Sequence, residues 1–140
     1  MNKLYVQGVA VSEDREHVLV LRSEKQKVLP VVINELDAHN ISLSLDGIKL
    51  ASPMMFDFVK NLCSLTGCKM SKVVIHDMVD GMIFSKVEIE YKDKKVFYEL
   101  RLADAILLAI NNYLPIYLSS KLEKYLENDF PVEFSQPLLN

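Results

Sequence analysis

At 140 residues, half of them apolar, the chain is long enough to bury one substantial core and short enough to need no second domain. A net charge of -3 excludes the overall basic footprint that holds a nucleic-acid polyanion tightly, so any such contact must be local. No apolar run reaches the roughly 18 residues of a membrane span, and the opening MNKLYVQGVAVSEDRE lacks the apolar region and cleavage site of a signal peptide, which points to a cytosolic protein.

In chain order, LYVQGVAV (4–11) and HVLVLR (17–22) read as strands joined by the polar turn SEDRE, and VLPVVI (28–33) as a third. Asn34, with Asp37 three residues on, marks a helix over 35–45, although ISLSL (41–45) also fits strand alternation. Gly47 ends it. Ser52 and Pro53 suit the N-cap and first position of a second helix with an apolar face of Met55, Phe56, Val59, Leu62, Cys63 and Thr66, closed by Gly67. The order then repeats: strands KVVIHDM (72–78), IFSKVEIEY (83–91) and VFYEL (96–100), turns at Asp80-Gly81 and KDKK, and a helix over 102–112. PIYL (115–118) leads to a last helix with the capping box Ser120-x-x-Glu123 and apolar positions Leu122, Tyr125 and Leu126.

An offset of 67 residues superposes Asp37-Ala38 on Asp104-Ala105, Ile41 on Leu108, Ser52 on Ser119, Met55 on Leu122, Phe58 on Tyr125 and Val59 on Leu126. The expected fold is therefore α+β: a duplicated β3α2 unit forming a mixed, mainly antiparallel sheet with helices packed on it. One domain over 1–140 would comprise halves of about 1–67 and 68–130 and a tail over 131–140.

Each half carries an aspartate in the first turn of a helix that follows a strand, Asp37 and Asp104. Such a carboxylate accepts backbone N–H bonds and suits the positive helix end, and Arg101 is placed to pair with Glu99 or Asp104. Cys63 and Cys68, spaced C-x4-C without clustered histidines, make neither a zinc site nor a disulfide framework and read as buried thiols. His76 reads as a strand-edge residue, and His39, two residues after Asp37, as the better acid or base. No Gly-rich phosphate loop and no Ser-His-Asp or Cys-His signature is present, which argues against nucleotide-dependent transferases and triad hydrolases and for no organic cofactor.

The succession LPVVINELDAHNI (29–41), SPMMFDFV (52–59), KVVIHDMVDGMIFSKVEI (72–89) and ELRLADAILLAINNYLPIYL (99–118) resembles the bifunctional nuclease family, a group also long described as a conserved domain of unknown function. The resemblance covers nearly the whole chain. Leu29, Pro30, Ile33, Ala38, Pro53, Asp57, Asp80, Gly81, Phe84, Arg101, Asp104, Ala105, Ile106, Leu108 and Ala109 match the family pattern, while Asp37 and Glu99 keep its charge with a changed side-chain length. It departs at Asn34 for Gly, Ser52 for Arg, Met55-Phe56 for Thr-His and Leu102-Ala103 for Pro-Ser.

What the resemblance implies is a compact α+β fold and cleavage of RNA and DNA phosphodiesters. Asp37, Asp57, Glu99, Arg101 and Asp104 become the candidate catalytic set, with Asp37, Asp57 and Asp104 on a divalent Mg²⁺ or Mn²⁺ and single-stranded RNA or DNA as a weakly held partner. Where the family places a histidine this chain has Phe56, which can neither donate nor accept a proton. The rival expectation is a non-catalytic member acting as a homo-oligomeric or protein-binding module, because polar family positions have become Met55, Phe56 and Leu102. The same replacements predict self-association, most simply as a two-fold dimer.

Overall fold

The computed structural model describes residues 1–49 and 54–128 and the backbone of 133–134. The described elements, in order, are β1 (Asn2–Val11), β2 (His17–Ser23), β3 (Val28–Ile33), α1 (Glu35–Leu45), α2 (Met55–Thr66), β4 (Lys69–Val79), β5 (Met82–Tyr91), β6 (Lys94–Leu100), α3 (Leu102–Asn112), β7 (Ile116–Leu118), a 3-10 turn (Ser120–Tyr125) and β8 (Glu133–Phe134). One sheet takes the strands in the order β3-β2-β1-β7-β4-β5-β6, with β8 pairing β1. Among the described residues only β4 against β7 is parallel, so the fold is the expected α+β domain with a mixed, mainly antiparallel sheet.

The hairpins explain the register. Asp80 and Gly81 have φ of 51° and 80°, the left-handed pair that a two-residue hairpin matched to strand twist requires. Lys92 and Asp93 adopt the same region at 48° and 64° without a glycine, closing the β5–β6 hairpin at Tyr91 and Lys94. Period-two alternation in β2 turns Leu19 and Leu21 to the main core and Val18 and Val20 to a second buried cluster with Ala10 and Val28.

The main core is made by one sheet face and the helices. Ala38 and Ile41 of α1, Ala105, Ile106 and Ala109 of α3, and Val73, Ile75 and Val87 of the sheet are all buried in it. The alternating ISLSL is helical because Ala38 and Ile41 are three apart on the face of α1 that meets the core, with Asn34 Oδ1 accepting the Asp37 N–H at 2.7 Å as its cap. A strand would have put Ile41 and its neighbours on alternate faces and left the core short of Ile41.

Several expectations are corrected. Ser52 and Pro53 lie outside the described residues; among those described, α2 begins at Met55 with Met54 as N-cap. Phe56, Val59 and Cys63 pack on the core, but Met55 is 73% and Leu62 45% exposed, so the expected apolar face was drawn too wide. The last helix is a single 3-10 stretch whose N-cap is Ser119 with no side-chain cap bond, not a helix opened by a Ser120–Glu123 box. Leu122 is buried but Tyr125 is exposed. The strand order is symmetric about β7, yet the halves are not equivalent, since α2 spans 12 residues and the 3-10 turn six.

Candidate functional site

β3 and β6 each end at the N-terminus of a helix, and those two helices pack side by side on the sheet. Asp37 is therefore presented by the first turn of α1 and Asp104 by the first turn of α3, each at the third helical position after its N-cap, Asn34 or Arg101. Arg101 joins them. Its Nη2 donates to Asp37 Oδ1 at 3.1 Å and to Asp104 Oδ1 at 3.3 Å, its Nη1 to Asp37 Oδ2 at 3.2 Å and its Nε to Asp104 Oδ2 at 3.2 Å. The guanidinium thus engages both carboxylates with both of their oxygens, using all but one of its N–H groups.

Burial is unequal across the cluster. Asp37 is 8% exposed, whereas the side chains of Arg101 and Asp104 are 60% and 50% exposed. The hydrogen bond to Asp37, then that to Asp104, holds the Arg101 guanidinium well above its ordinary pKa, against a small opposing effect of desolvation. The first-turn aspartates were expected to act chiefly as caps. Their carboxylates bond the guanidinium instead, while the Asp37 N–H is capped by Asn34 and the Arg101 carbonyl accepts the Ala105 N–H at 3.0 Å. At the far ends of the same helices Asn111 Nδ2 donates to Ser44 Oγ at 3.0 Å, a pair with the same 67-residue separation as Asp37 and Asp104. The two helices are thereby tied side by side, running in one direction, at both ends.

The other two candidate carboxylates do not join this cluster. Asp57 sits at the third position of α2 and accepts the Met54 N–H at 2.8 Å, a local capping role. It borders a cleft of about 820 Å³ with Asn40, Ser44, Lys60, Asn61 and Asn111, whose described lining includes none of Asp37, Arg101 or Asp104. Glu99 Oε1 lies 2.7 Å from His76 Nε2. That contact is close enough for an ion pair but is not aligned as a hydrogen bond, and the nitrogen has no other partner among the described residues. The His39 side chain makes no hydrogen bond or ion pair among the described residues, so His76, read from sequence as an edge residue, is the histidine that meets a candidate carboxylate. The pairing was hidden because His76 occupies a register irregularity of β4 between Ile75 and Asp77, which re-aims its side chain. Among the described residues no three of His, Cys, Asp and Glu are grouped to hold a metal.

Asp77 was also missed. Its Oδ1 accepts the Met78 N–H at 2.9 Å and lies 3.3 Å from Lys121 Nζ, tying the 3-10 turn to β4. The Met78 N–H first, then Lys121, hold its carboxyl below the ordinary 3.8. A carboxyl lowered on folding contributes stability above its unfolded pKa and loses it as pH falls through the folded value. Asp77→Asn is therefore expected to flatten the decline of melting temperature with acidification below about pH 4, measured by melts from pH 7 to 2. An unchanged slope would refute the assignment.

A helix-covered, mainly antiparallel sheet with acidic groups at helix N-termini and one arginine bridging α1 and α3 is the class of α+β domain that this site defines. The family model of the bifunctional nuclease domain matches residues 19–128, and the chain belongs to that family. Two relatives from Mycobacterium tuberculosis, Uncharacterized protein MT1877 (strain CDC 1551 / Oshkosh) and Uncharacterized protein Rv1829 (strain ATCC 25618 / H37Rv), are each 25% identical over 120 residues, spanning 84% of this chain and 71% of theirs. Neither description carries an activity.

Proposed function

We propose that the protein cleaves phosphodiesters of RNA or DNA, with the Asp37–Arg101–Asp104 cluster as its centre. Family membership supports the reading, and the observation that carries it is the meeting of Asp37 and Asp104, 67 residues apart in sequence, around Arg101 Nη2 at 3.1 and 3.3 Å. Their hard carboxylate oxygens suit Mg²⁺ or Mn²⁺, which bind through one or two carboxylates and keep several waters. Asp37 and Asp104 would hold such an ion once the guanidinium leaves them. When bound, the ion would lower the pKa of a water and offset charge on the phosphate. Arg101, on a long and largely exposed side chain, would then offer its planar fork to a phosphate oxygen.

The test is incubation of single-stranded RNA and DNA with Mg²⁺ or Mn²⁺, with and without chelator. Slow, divalent-dependent cleavage is expected, reduced at least roughly tenfold in Asp104→Asn. Cleavage that survives both chelation and Asp104→Asn would sink the proposal.

A second reading, a non-catalytic binding member of the family, is favoured by a specific arrangement. Arg101 already occupies the oxygens of both carboxylates, Asp57 and Glu99 are engaged elsewhere, and Phe56 stands where the family pattern has histidine. Titration calorimetry with Mn²⁺ separates the two. Binding at tens of micromolar or tighter, lost in Asp104→Asn, supports the nuclease, and its absence together with absent cleavage supports the binding module.

A further inference from the structure

We propose that β6 is a docking edge for a second copy of this chain, which adds its own β6 antiparallel across a two-fold axis at Phe97 and continues the sheet. Among the described residues β6 ends the sheet order, and along its seven residues only Leu100 is not exposed. Val96, Phe97 and Tyr98 are 44%, 44% and 57% exposed, a long apolar edge of the kind folded proteins usually protect. The other edge is protected: Pro30 removes a donor from the middle of β3, and Glu127 pairs with Val28 through two bonds of 2.7 Å. β6 has neither device among the described residues.

The register follows from the hairpin. A two-residue turn makes Tyr91 and Lys94 a hydrogen-bonded pair, and such pairs alternate along the ladder, so Ile89–Val96 and Val87–Tyr98 are bonded to each other while Lys95, Phe97 and Glu99 direct their N–H and C=O groups to the open edge. An antiparallel partner centred on Phe97 sets these outward groups against one another: Phe97 against its own counterpart, and Lys95 against Glu99 of the second copy, twice. The side chains agree with the backbone. Lys95, Phe97 and Glu99 share one face, so each lysine meets a glutamate and the two Phe97 rings meet at the axis, where Lys86 Nζ already lies 4.4 Å from the ring centroid. On the other face Val96 meets Tyr98. A shift of the axis by one residue either way sets Lys95 or Glu99 against Phe97 and loses both ion pairs. Charge complementarity therefore selects a copy of this chain in this register.

The contact is short, so a dissociation constant on the order of 10 µM is expected. Sedimentation equilibrium from about 1 to 100 µM reads it, with circular dichroism melts showing that each variant is folded. Lys95→Glu, which sets like charges opposite each other, is expected to weaken the dimer at least roughly tenfold, and the exchange Lys95→Glu with Glu99→Lys to restore it to within about threefold. Phe97→Pro removes only an outward-facing donor, so it should abolish the dimer while leaving a folded monomer. A wild type that stays monomeric at 100 µM, a dimer indifferent to Phe97→Pro, or a folded charge exchange that fails to recover association would each overturn the proposal.

Discussion

Arg101→Ala is expected to lower stability by about 1 to 3 kcal/mol, because it strands the nearly buried Asp37 carboxylate without a cation. Asp37 is 8% exposed and both its oxygens accept from the guanidinium at 3.1 and 3.2 Å. Breaking a fully buried pair removes roughly 3 to 5 kcal/mol, but the Arg101 side chain is 60% exposed, so water reaches the vacated place and reduces the loss. In an Asp37→Asn background the amide needs no counter-ion, and the same Arg101→Ala change should remove less than about 1 kcal/mol. Thermal melts of the four proteins supply the cycle. Equal losses in both backgrounds would show that the pair contributes nothing to joining α1 and α3.

Ile106→Ala is expected to have the largest effect, a loss of about 2 to 5 kcal/mol, with Ile106→Val losing only about 0.5 to 1.5 kcal/mol. Ile106 is 0% exposed in the main core and sits two residues after Asp104 on the inner face of α3. The core around it includes Ala105, Ala109 and Ala38, small residues that have little side chain to move into a void, so the upper part of the range is favoured. Urea unfolding should show a lower midpoint at constant slope. A loss below about 1 kcal/mol would mean that α3 does not seat its apolar face on the sheet as described.

The elements were legible because each is governed by neighbours in the chain. β3 over 28–33, α1 over 35–45 and α3 over 102–112 have the residue bounds expected from pattern and caps, since apolar periodicity, Asn34 and the flanking turns act within a few residues. The errors were local too. Met55 and Leu62 looked like core residues on α2 because a helix pattern shows which side chains share a face, not how much of that face a neighbouring layer covers. The 3-10 turn at Ser120–Tyr125 carried a capping-box pattern, yet its short length and its anchoring by Leu122 and Lys121 settled another geometry.

The candidate site divides along the same line. From the chain alone came the family resemblance, the α+β class and the identity of five charged residues worth watching: Asp37, Asp57, Glu99, Arg101 and Asp104. Of their partnerships only Arg101 with Asp104, three residues apart, came with it; the partner of Asp37 did not, because it is set by three-dimensional approach and not by sequence spacing. Only the tertiary structure brought Asp37 onto Arg101 across 64 residues, since that contact exists when α1 and α3 lie side by side on one sheet face. The same packing left Asp57 to its own helix and Glu99 to His76. The open edge of β6 was likewise invisible beforehand, for a strand's sequence states its pairing chemistry but its place at the end of a sheet is decided by the order in which all the strands assemble.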